Sequence, residues 1–341
     1  MGRHINIPIF IPHLGCPNQC VFCNQRTISG TKEFDFREVV GIIEKSLVTT
    51  APDDECEIAF FGGSFTGIER NLMISLLNEA NKYIKSGRIK SIRCSTRPDY
   101  IDDDILDLLW DMGVRNIELG LQSVSDSVLM CCKRGHGFTA EADACRKVVQ
   151  KGFTLGGQMM IGLPGATEED ELTTAEFIVN SGAKEARIYP TVVFRDTELY
   201  DMTLNGVYEP LTTEAAVVRT AKVFKILSAG GVKILRVGLC DSENLHNDST
   251  YYAGPNHPAI GELVVGEVYY NIAADKISRL NLEKNASVTL EAPLGQTSKV
   301  AGHKRRNKDR LKKEFGLSAI KVIENSALCG YELTVYADER K

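Results

Sequence analysis

The chain has 341 residues, of which 43% are hydrophobic, so it is long enough for one large domain or two with an ample core. Its formal net charge of −5 does not by itself indicate a nucleic-acid partner. The N-terminus has no apolar signal region, and no run approaches the roughly 18 apolar residues of a membrane helix. With ten cysteines and no signal peptide, we expect reduced thiols, a cytoplasmic location and no membrane association.

Short apolar runs alternate with amphipathic stretches over the first 240 residues. The pattern predicts strands at Ile5–Ile11, Glu57–Phe61, Lys90–Ser95, Asn116–Leu121, Phe153–Ile161, Ala186–Tyr189 and Val232–Val237. It predicts helices at Phe36–Leu47, Asn71–Ile84, Asp102–Met112, Asp126–Cys132, Ala140–Gln150, Thr167–Val179 and Thr213–Ala229. Because no antiparallel hairpin signal occurs, we expect a parallel sheet forming a partial or full barrel. Its chemistry should lie on loops at the carboxyl ends of the strands.

Three cysteines with C-x3-C-x2-C spacing follow the first predicted strand. They are Cys16, Cys20 and Cys23, and Phe22 precedes the third. An iron–sulfur cluster normally takes four thiolates, so this loop would leave one iron of a [4Fe–4S] cluster for a non-protein ligand. A zinc site would need a second ligand pair, which the sequence lacks. A disulfide framework does not suit such closely spaced thiols in a reducing setting, so the spacing favours a cluster.

A glycine motif, Gly62-Gly63-Ser64-Phe65-Thr66, follows the second predicted strand. Two adjacent glycines allow backbone groups to approach a ligand closely. Alone, a Gly-Gly turn is a common connection between secondary-structure elements and indicates no ligand. Its position one strand–helix unit after the cysteine loop makes the combination specific.

Together, the two motifs resemble the radical S-adenosylmethionine (radical SAM) superfamily, in which the methionine end of the cofactor chelates the open iron. Three further segments resemble the catalytic subunit of Elongator and the oxygen-independent coproporphyrinogen oxidases: Gly120–Ser123, Arg134–His136 and Gln158–Gly165. Two others favour the Elongator branch: Arg97–Tyr100 and Ile188–Tyr200. The resemblance implies a partial (β/α)6 TIM-like barrel over residues 1–240. A small C-terminal α/β extension would follow over residues 241–341.

The resemblance also implies the cofactors, a [4Fe–4S] cluster and S-adenosylmethionine (SAM), and a one-electron donor of the flavodoxin or ferredoxin type. It makes Cys16, Cys20 and Cys23 the metal ligands. Contacts to SAM are implied for Gly62, Gly63, Ser64, Thr66, Ser95, Gln122, Arg134, Gln158, Ile161 and Gly162. Ser95 stands where many relatives carry a glutamate. Without the motifs, Gln122 and Gln158 would be read as satisfied polar groups inside a barrel.

Two features depart from the Elongator pattern. The first two cysteines are closer together than in that subunit, as in the coproporphyrinogen oxidases. About a hundred residues follow Val237, and they lack the Gly-rich acyl-CoA loop of an acetyltransferase domain. We therefore expect that acetyl-CoA-dependent chemistry does not carry over.

The C-terminal region contains a concentrated basic segment. Residues Lys299–Phe315 carry eight Lys and Arg against two acidic residues, a net of +6 that leaves −11 on the rest of the chain. Lys304, Arg305 and Arg306 are candidate contacts to an RNA backbone. A solvated helix face is at least as common for a charge run, but the resemblance to a tRNA-modifying protein favours RNA.

Other parts of this region carry weaker signals. Strands are predicted at Ala286–Glu291 and Ala319–Ile323, and Tyr251–Gly266 is expected to be turn-rich and to return toward the barrel mouth. Tyr189 and Arg236 are candidate substrate contacts near strand ends. The other cysteines are expected to pack in the core: Cys56, Cys94, Cys131, Cys132, Cys145, Cys240 and Cys329.

Three functions stay open from the sequence. The favoured one is a radical SAM enzyme that modifies a tRNA base. The second is a radical SAM enzyme acting on a small metabolite or a tetrapyrrole, with no affinity for RNA. The third is a non-catalytic carrier that binds the cluster or the cofactor without cleaving it.

Overall fold

A computed structural model of the chain describes residues 3–11, 14–16, 20–24, 34–239, 245 and 247–338. Its main feature is a seven-stranded sheet in the order β1-β2-β3-β4-β5-β6-β8, with every neighbouring pair parallel. The strands are β1 (His4–Ile11), β2 (Glu55–Gly62), β3 (Ser91–Thr96), β4 (Val114–Gln122), β5 (Thr154–Ile161), β6 (Glu185–Pro190) and β8 (Lys233–Val237). The predicted parallel α/β partial barrel is confirmed, and the sheet supplies the strand number that periodicity could not.

Helices connect successive strands of this sheet. They are α1 (Glu38–Leu47), α2 (Arg70–Lys85), α3 (Asp103–Asp111), α4 (Asp126–Cys131), α5 (Phe138–Gln150), α6 (Glu168–Asn180), α7 (Glu198–Leu204) and α8 (Thr213–Ala229). Ile7, Ile58, Ile92 and Ile117 on neighbouring strands are fully buried. Side chains of β1 and of β6 line one cavity, so the sheet is curled.

A short antiparallel pair that sequence reasoning missed follows β6. Strand β7 (Val193–Phe194) pairs with β9 (Tyr251–Ala253), and Phe194 lines the cavity of the barrel. Thus the beginning of the expected turn-rich segment does return to the barrel. Its later part was predicted wrongly, because a long helix already begins at Ile260.

The chain divides into two compact units. One comprises Met1–Thr212 and Ile226–Asn256, and the other comprises Thr213–Lys225 and His257–Lys341. The expected boundary at residue 240, together with Cys240, lies outside the described residues. None of the helices in the described ranges combines the length and apolar character needed to cross a bilayer.

The second unit contains a three-stranded sheet in the order β11-β10-β12. Its elements are α9 (Ile260–Ser278), β10 (Ser287–Ala292), α10 (Thr297–Ala301), α11 (Arg306–Phe315), β11 (Ala319–Glu324) and β12 (Thr334–Ala337). The two predicted strands of this region are confirmed as β10 and β11. Tyr269, Leu290 and Leu311 pack in a common core, to which α9, β10 and α11 all contribute side chains.

The cysteine predictions hold for the barrel core and fail at two surface positions. Cys56, Cys94, Cys132 and Cys145 are buried, as expected for small apolar side chains. Cys131 and Cys329 are exposed. Cys131 is the last residue of α4, and Cys329 lies in the connection between β11 and β12, where neither side chain reaches a core.

Candidate active site

A cavity of about 470 Å³ opens at the carboxyl ends of the barrel strands. Its size is typical of a small-molecule site. The lining residues come from β1 to β7 and from connections that follow strands, including the one after β8: Pro8, Phe10, Phe22, Cys23, Phe61, Gly62, Ser95, Gln122, Gln158, Met160, Arg187, Tyr189, Pro190, Val192, Phe194 and Leu239. This is the end of a parallel barrel where chemistry is expected.

The cysteine loop reaches the cavity through its third cysteine. Cys23 lines the cavity, Cys20 is buried, and Cys16 is exposed. Nη1 of Arg134 lies 3.4 Å from the sulfur of Cys20. The structure does not describe residues 17–19 of this loop. Among the residues that it does describe, no three His, Cys, Asp or Glu side chains form a group that could hold a metal ion. The ligand role of the three cysteines stays a prediction.

Two arginines set the electrostatics of this loop. Although Cys16 as a residue is exposed, partial desolvation of its thiol by the surrounding protein raises the pKa of Cys16, while the cations of Arg97 and Arg134 act in the opposite direction. Positive charge beside thiols favours the thiolate, which is the form that binds a metal. The loop therefore has counter-charges for an anionic group.

The glycine motif packs directly against the cysteine loop. Gly62 has φ +127°, and a Cβ atom there would collide with the backbone of Ile11. At Gly63 a Cβ atom would lie 2.6 Å from the carbonyl oxygen of Leu14 and 3.0 Å from the sulfur of Cys16. These close approaches explain why both positions are glycine.

Hydroxyl groups tie the glycine motif to the next strand end. Oγ of Ser64 and Oγ1 of Thr96 are 2.7 Å apart, and Oγ1 of Thr66 also bonds to Thr96. The backbone N–H of Arg97 donates to Ser64 Oγ at 3.2 Å. The Arg97 side chain donates to Asp99 through Nε and Nη2, at 2.9 and 2.8 Å. Ser64 is thus fixed by the loop that carries Arg97.

A buried acid–histidine chain adjoins these arginines. Nδ1 of His136 is 3.3 Å from Asp99, and its Nε2 is 3.2 Å from Oε1 of Glu141. Burial raises the pKa of Glu141 to about 7. Burial alone would lower the pKa of His136, but Asp99 and Glu141 outweigh it and raise that pKa. This chain holds the segment that carries Arg134.

Four predicted cofactor contacts line the cavity: Gly62, Ser95, Gln122 and Gln158. Nε2 of Gln158 donates to Ser95 Oγ at 3.0 Å and to Oε2 of Glu118 at 2.9 Å. Gln122 has φ +70°, and its buried Oε1 accepts no hydrogen bond from the described residues. Because a buried acceptor without a partner is costly, Gln122 is suited to receive a donor from a ligand.

The predicted adenine contacts, Ile161 and Gly162, lie at the end of β5, outside the set of cavity-lining residues. Ile161 is fully buried. The Gly162 N–H donates to Glu171 at 2.6 Å, and its carbonyl oxygen accepts from the hydroxyl of Tyr208 at 2.6 Å. Both backbone groups of Gly162 therefore already have protein partners.

Sequence reasoning missed a charged cluster inside the curled sheet. Arg93 is 1% exposed and bonds to Glu57, Glu118 and Glu185. Glu118 also binds Arg187, which lines the cavity. Charged residues in the middle of strands that otherwise read as apolar were the available signal, because buried parallel strands are normally continuous apolar runs. Of the two weaker candidates, Tyr189 lines the cavity and Arg236 donates to the carbonyl of Leu239.

The basic segment lies in the second unit. Lys304, Arg305 and Arg306 are exposed, and Lys304 and Arg305 have φ of +50° and +66°. None of the three forms an ion pair with a described residue. Arg310 is different, because it pairs with Glu267 and stacks on the ring of Tyr270, with Cζ 3.5 Å from the centroid.

Two family models match the chain. The model of the Radical SAM superfamily matches residues 10–178, which include the cysteine loop, the glycine motif and the strand ends of the cavity. The chain belongs to the radical SAM superfamily. The model of the Radical_SAM C-terminal domain matches residues 183–270, so the two together span about three quarters of this radical SAM enzyme.

Curated relatives place the chain near the Elongator branch. A tRNA uridine(34) acetyltransferase of Methanocaldococcus jannaschii is 30% identical over an alignment of 243 residues, and the match covers 59% of this chain and 45% of that protein. Elongator complex protein 3 of Schizosaccharomyces pombe is 29% identical over an alignment of 194 residues, and the match covers 51% of this chain and 36% of that protein. This radical SAM chain spans less than half the length of these relatives.

Solved structures support the radical SAM fold. Elp3 of the archaeon Methanocaldococcus infernus aligns with a TM-score of 0.63 at 21% identity, covering 80% of this chain and 68% of that one. Methylornithine synthase aligns with a TM-score of 0.50 at 14% identity, covering 75% and 76%. At these identities the likeness concerns the fold.

Radical SAM membership implies a [4Fe–4S] cluster and SAM, and the residues present fit both groups. Three thiols follow one strand, with the cations of Arg97 and Arg134 beside them. The glycine backbone lies against this loop without space for side chains. Gln122 offers a buried acceptor without a described partner.

Proposed function

We propose that this radical SAM enzyme binds a [4Fe–4S] cluster through Cys16, Cys20 and Cys23 and modifies a base of tRNA. The observation that carries the proposal is the cavity at the strand ends, where Cys23 meets residues predicted to contact SAM. The names of the relatives support the choice of tRNA, since they include a tRNA uridine(34) acetyltransferase. When bound, the cluster and SAM would supply one-electron radical chemistry that removes a hydrogen atom from a substrate.

The residues of the chain would divide the work of binding. The glycine backbone at Gly62 and Gly63 would hold the methionine amino and carboxylate groups of SAM. Gln122 and Gln158 would contact its ribose or carboxylate, and Arg134 would stabilise negative charge at Cys20 from 3.4 Å. The apolar walls would exclude water and competing reductants, which a radical reaction requires.

The RNA would be held by charge in the second unit. Lys304, Arg305 and Arg306 are exposed cations that supply contacts to phosphates without a loss of internal ion pairs. A flavodoxin-type or ferredoxin-type protein would deliver the electron.

Anaerobic reconstitution followed by detection of 5′-deoxyadenosine tests the proposal. Wild-type protein with a low-potential reductant should form 5′-deoxyadenosine, and bulk tRNA should increase its rate. Cys20→Ala should form none, while Cys56→Ala, which alters a buried cysteine outside the loop, should retain it. Cluster binding without cleavage, with or without tRNA, would favour the carrier function instead. Cleavage that tRNA does not change would favour a small-molecule substrate.

A further inference from the structure

One part of the cavity has no predicted contact to SAM. It is bounded by β1, β2 and β6, and it presents the rings of Phe10 and Phe61, whose centroids are 6.1 Å apart at an interplanar angle of 42°. Cζ of Arg187 lies 5.2 Å from the centroid of Phe61. We propose that Arg187 orients a neutral, planar ring of the substrate against these aromatic walls. This inference rests on the proposed function and adds the chemical class of the reacting unit and a residue that selects it.

Arg187 is held in one orientation by Glu118. Its Nε donates to Glu118 Oε2 at 2.7 Å and its Nη2 donates to Oε1 at 3.1 Å. This two-point contact fixes the plane of the guanidinium. Nη1 has no hydrogen-bond partner among the described residues, and the side chain lines the cavity. The free nitrogen is therefore a directed donor for a carbonyl oxygen or ring nitrogen on the substrate.

The charges below the cavity argue against an anionic substrate. Arg93 and Arg187 are two cations, and they contact three carboxylates, Glu57, Glu118 and Glu185. The arginines hold the pKa of Glu118 low despite its burial, so this group carries its charge. His4 also contacts Glu57, at 3.2 Å, and each arginine of the set already lies against at least one carboxylate, so neither cation is left without a counter-charge. A carboxylate on the substrate would meet no surplus cation here, which disfavours a tetrapyrrole or a free amino acid.

A neutral ring can lie beside these carboxylates and arginines without charge repulsion. Aromatic faces favour stacking or edge contacts with a flat ring, and a buried donor selects the ring that offers an acceptor edge. Nucleobases such as uracil have both properties. A base extruded from an RNA strand could enter the cavity while the phosphates stay outside it.

Arg187→Met tests the donor, with Arg115→Met as the matched control. Arg115 also stacks on an aromatic ring, with Cζ 4.2 Å from the centroid of Trp110, but it does not line the cavity. In Arg187→Met, the tRNA Kd from filter binding should stay within about twofold, because phosphate contacts dominate affinity. The rate of 5′-deoxyadenosine formation at saturating tRNA should fall about 10- to 100-fold, as expected when a reacting group is misplaced. Arg115→Met should match wild type in both measurements.

The outcomes separate the two proposals. A wild-type rate that tRNA does not change would contradict the proposed function. A tRNA-stimulated wild type with an equally stimulated Arg187→Met would overturn the role of Arg187. Arg187→Lys retains the charge without the two-point contact, and a similar loss of rate in that variant would assign the effect to orientation.

A binding experiment tests the neutral-ring selection without turnover. Equilibrium dialysis of the reconstituted protein should show binding of uracil and at least roughly tenfold weaker binding of orotate, its carboxylated analogue. Glu118→Gln removes the carboxylate that neutralises Arg187 and should reduce this preference about tenfold or more. Equal binding of the two rings by wild type, or no binding of uracil, would overturn the inference.

Discussion

At Gly63, a single added methyl group should impair binding of the cluster more than it impairs folding. It does not occupy the left-handed region, yet a Cβ atom would lie 2.6 Å from Leu14 O and 3.0 Å from the sulfur of Cys16. We expect Gly63→Ala to displace the cysteine loop and to lower the iron and sulfide bound after reconstitution at least about twofold. The control is Gly41→Ala on α1, where no atom lies within 4 Å of a Cβ. Full iron content in Gly63→Ala would contradict this account.

Glu141 makes the stability of the protein depend on pH. Its folded pKa of about 7 lies above the value of 4.5 for a solvated carboxyl, so the folded protein holds a proton that the unfolded chain releases. The free energy of unfolding should therefore fall as pH rises from about 4.5 to 7. His136 extends the fall above pH 6.5, because its folded pKa is also raised.

In Glu141→Gln, the fall in the free energy of unfolding between pH 5 and 7 should be smaller than in wild type by about 2 to 3 kcal/mol. Urea titrations at several pH values measure it. The control is Asp143→Asn on the same helix, since Lys147 and Arg146 lower the pKa of Asp143 and its contribution changes only in more acidic solution. Parallel pH curves for wild type and Glu141→Gln would show that Glu141 does not titrate in this window.

The sequence allowed candidate site residues to be named where the motif that carries them is short and continuous. Cys23, Gly62 and Gln158 stand in short motifs, and all three line the cavity. Arg187 was missed because its role depends on Glu118, which is 69 residues away in the chain. The sequence shows each of them as a charged residue within an apolar strand, but only the fold shows that the two side chains pair.

At the scale of elements, periodicity located helices that have one buried face. The prediction of Asn71–Ile84 corresponds to α2 at Arg70–Lys85, within one residue at each end. Helix α9 was missed because its buried residues occur on several faces, including Val264, Gly266 and Val268, so no apolar stripe marks it. Strands β7 and β9 have two and three residues, too few for an alternating pattern.

Helix α6 supplies the prediction at this scale. Thr167 and Asp170 form a capping box at its N-terminus, and Glu171 in its first turn accepts the N–H of Gly162 at 2.6 Å. Thr167→Ala should lower the free energy of unfolding by about 1 kcal/mol, measured from denaturant midpoints. Ser125→Ala is the control, because Ser125 is the N-cap of α4 and makes no side-chain capping bond. An equal loss in both variants would show that the capping box contributes nothing specific.

At the scale of the whole molecule, charge is distributed unevenly. The segment Lys299–Phe315 has a net charge of +6, and the rest of the chain has −11. The overall net charge of −5 therefore does not reveal the cationic segment, and it is a poor guide to binding partners. The fold class could be predicted from alternating strands and helices, whereas the surface cations required the structure, because only it distinguishes exposed Lys304 from paired Arg310.

The salt dependence of tRNA binding tests whether this surface contacts phosphates. Each phosphate contact contributes about 0.7 to 0.9 to the negative slope of log K against log salt concentration. Replacing Lys304, Arg305 and Arg306 with glutamine should reduce the slope by about 2 and weaken binding most at low salt. The control replaces Lys82, Lys85 and Lys90 with glutamine, which removes the same charge from the first unit. Equal changes in slope would mean that tRNA responds only to total charge. A slope unchanged in the first variant would instead leave Lys304, Arg305 and Arg306 as a solvated face.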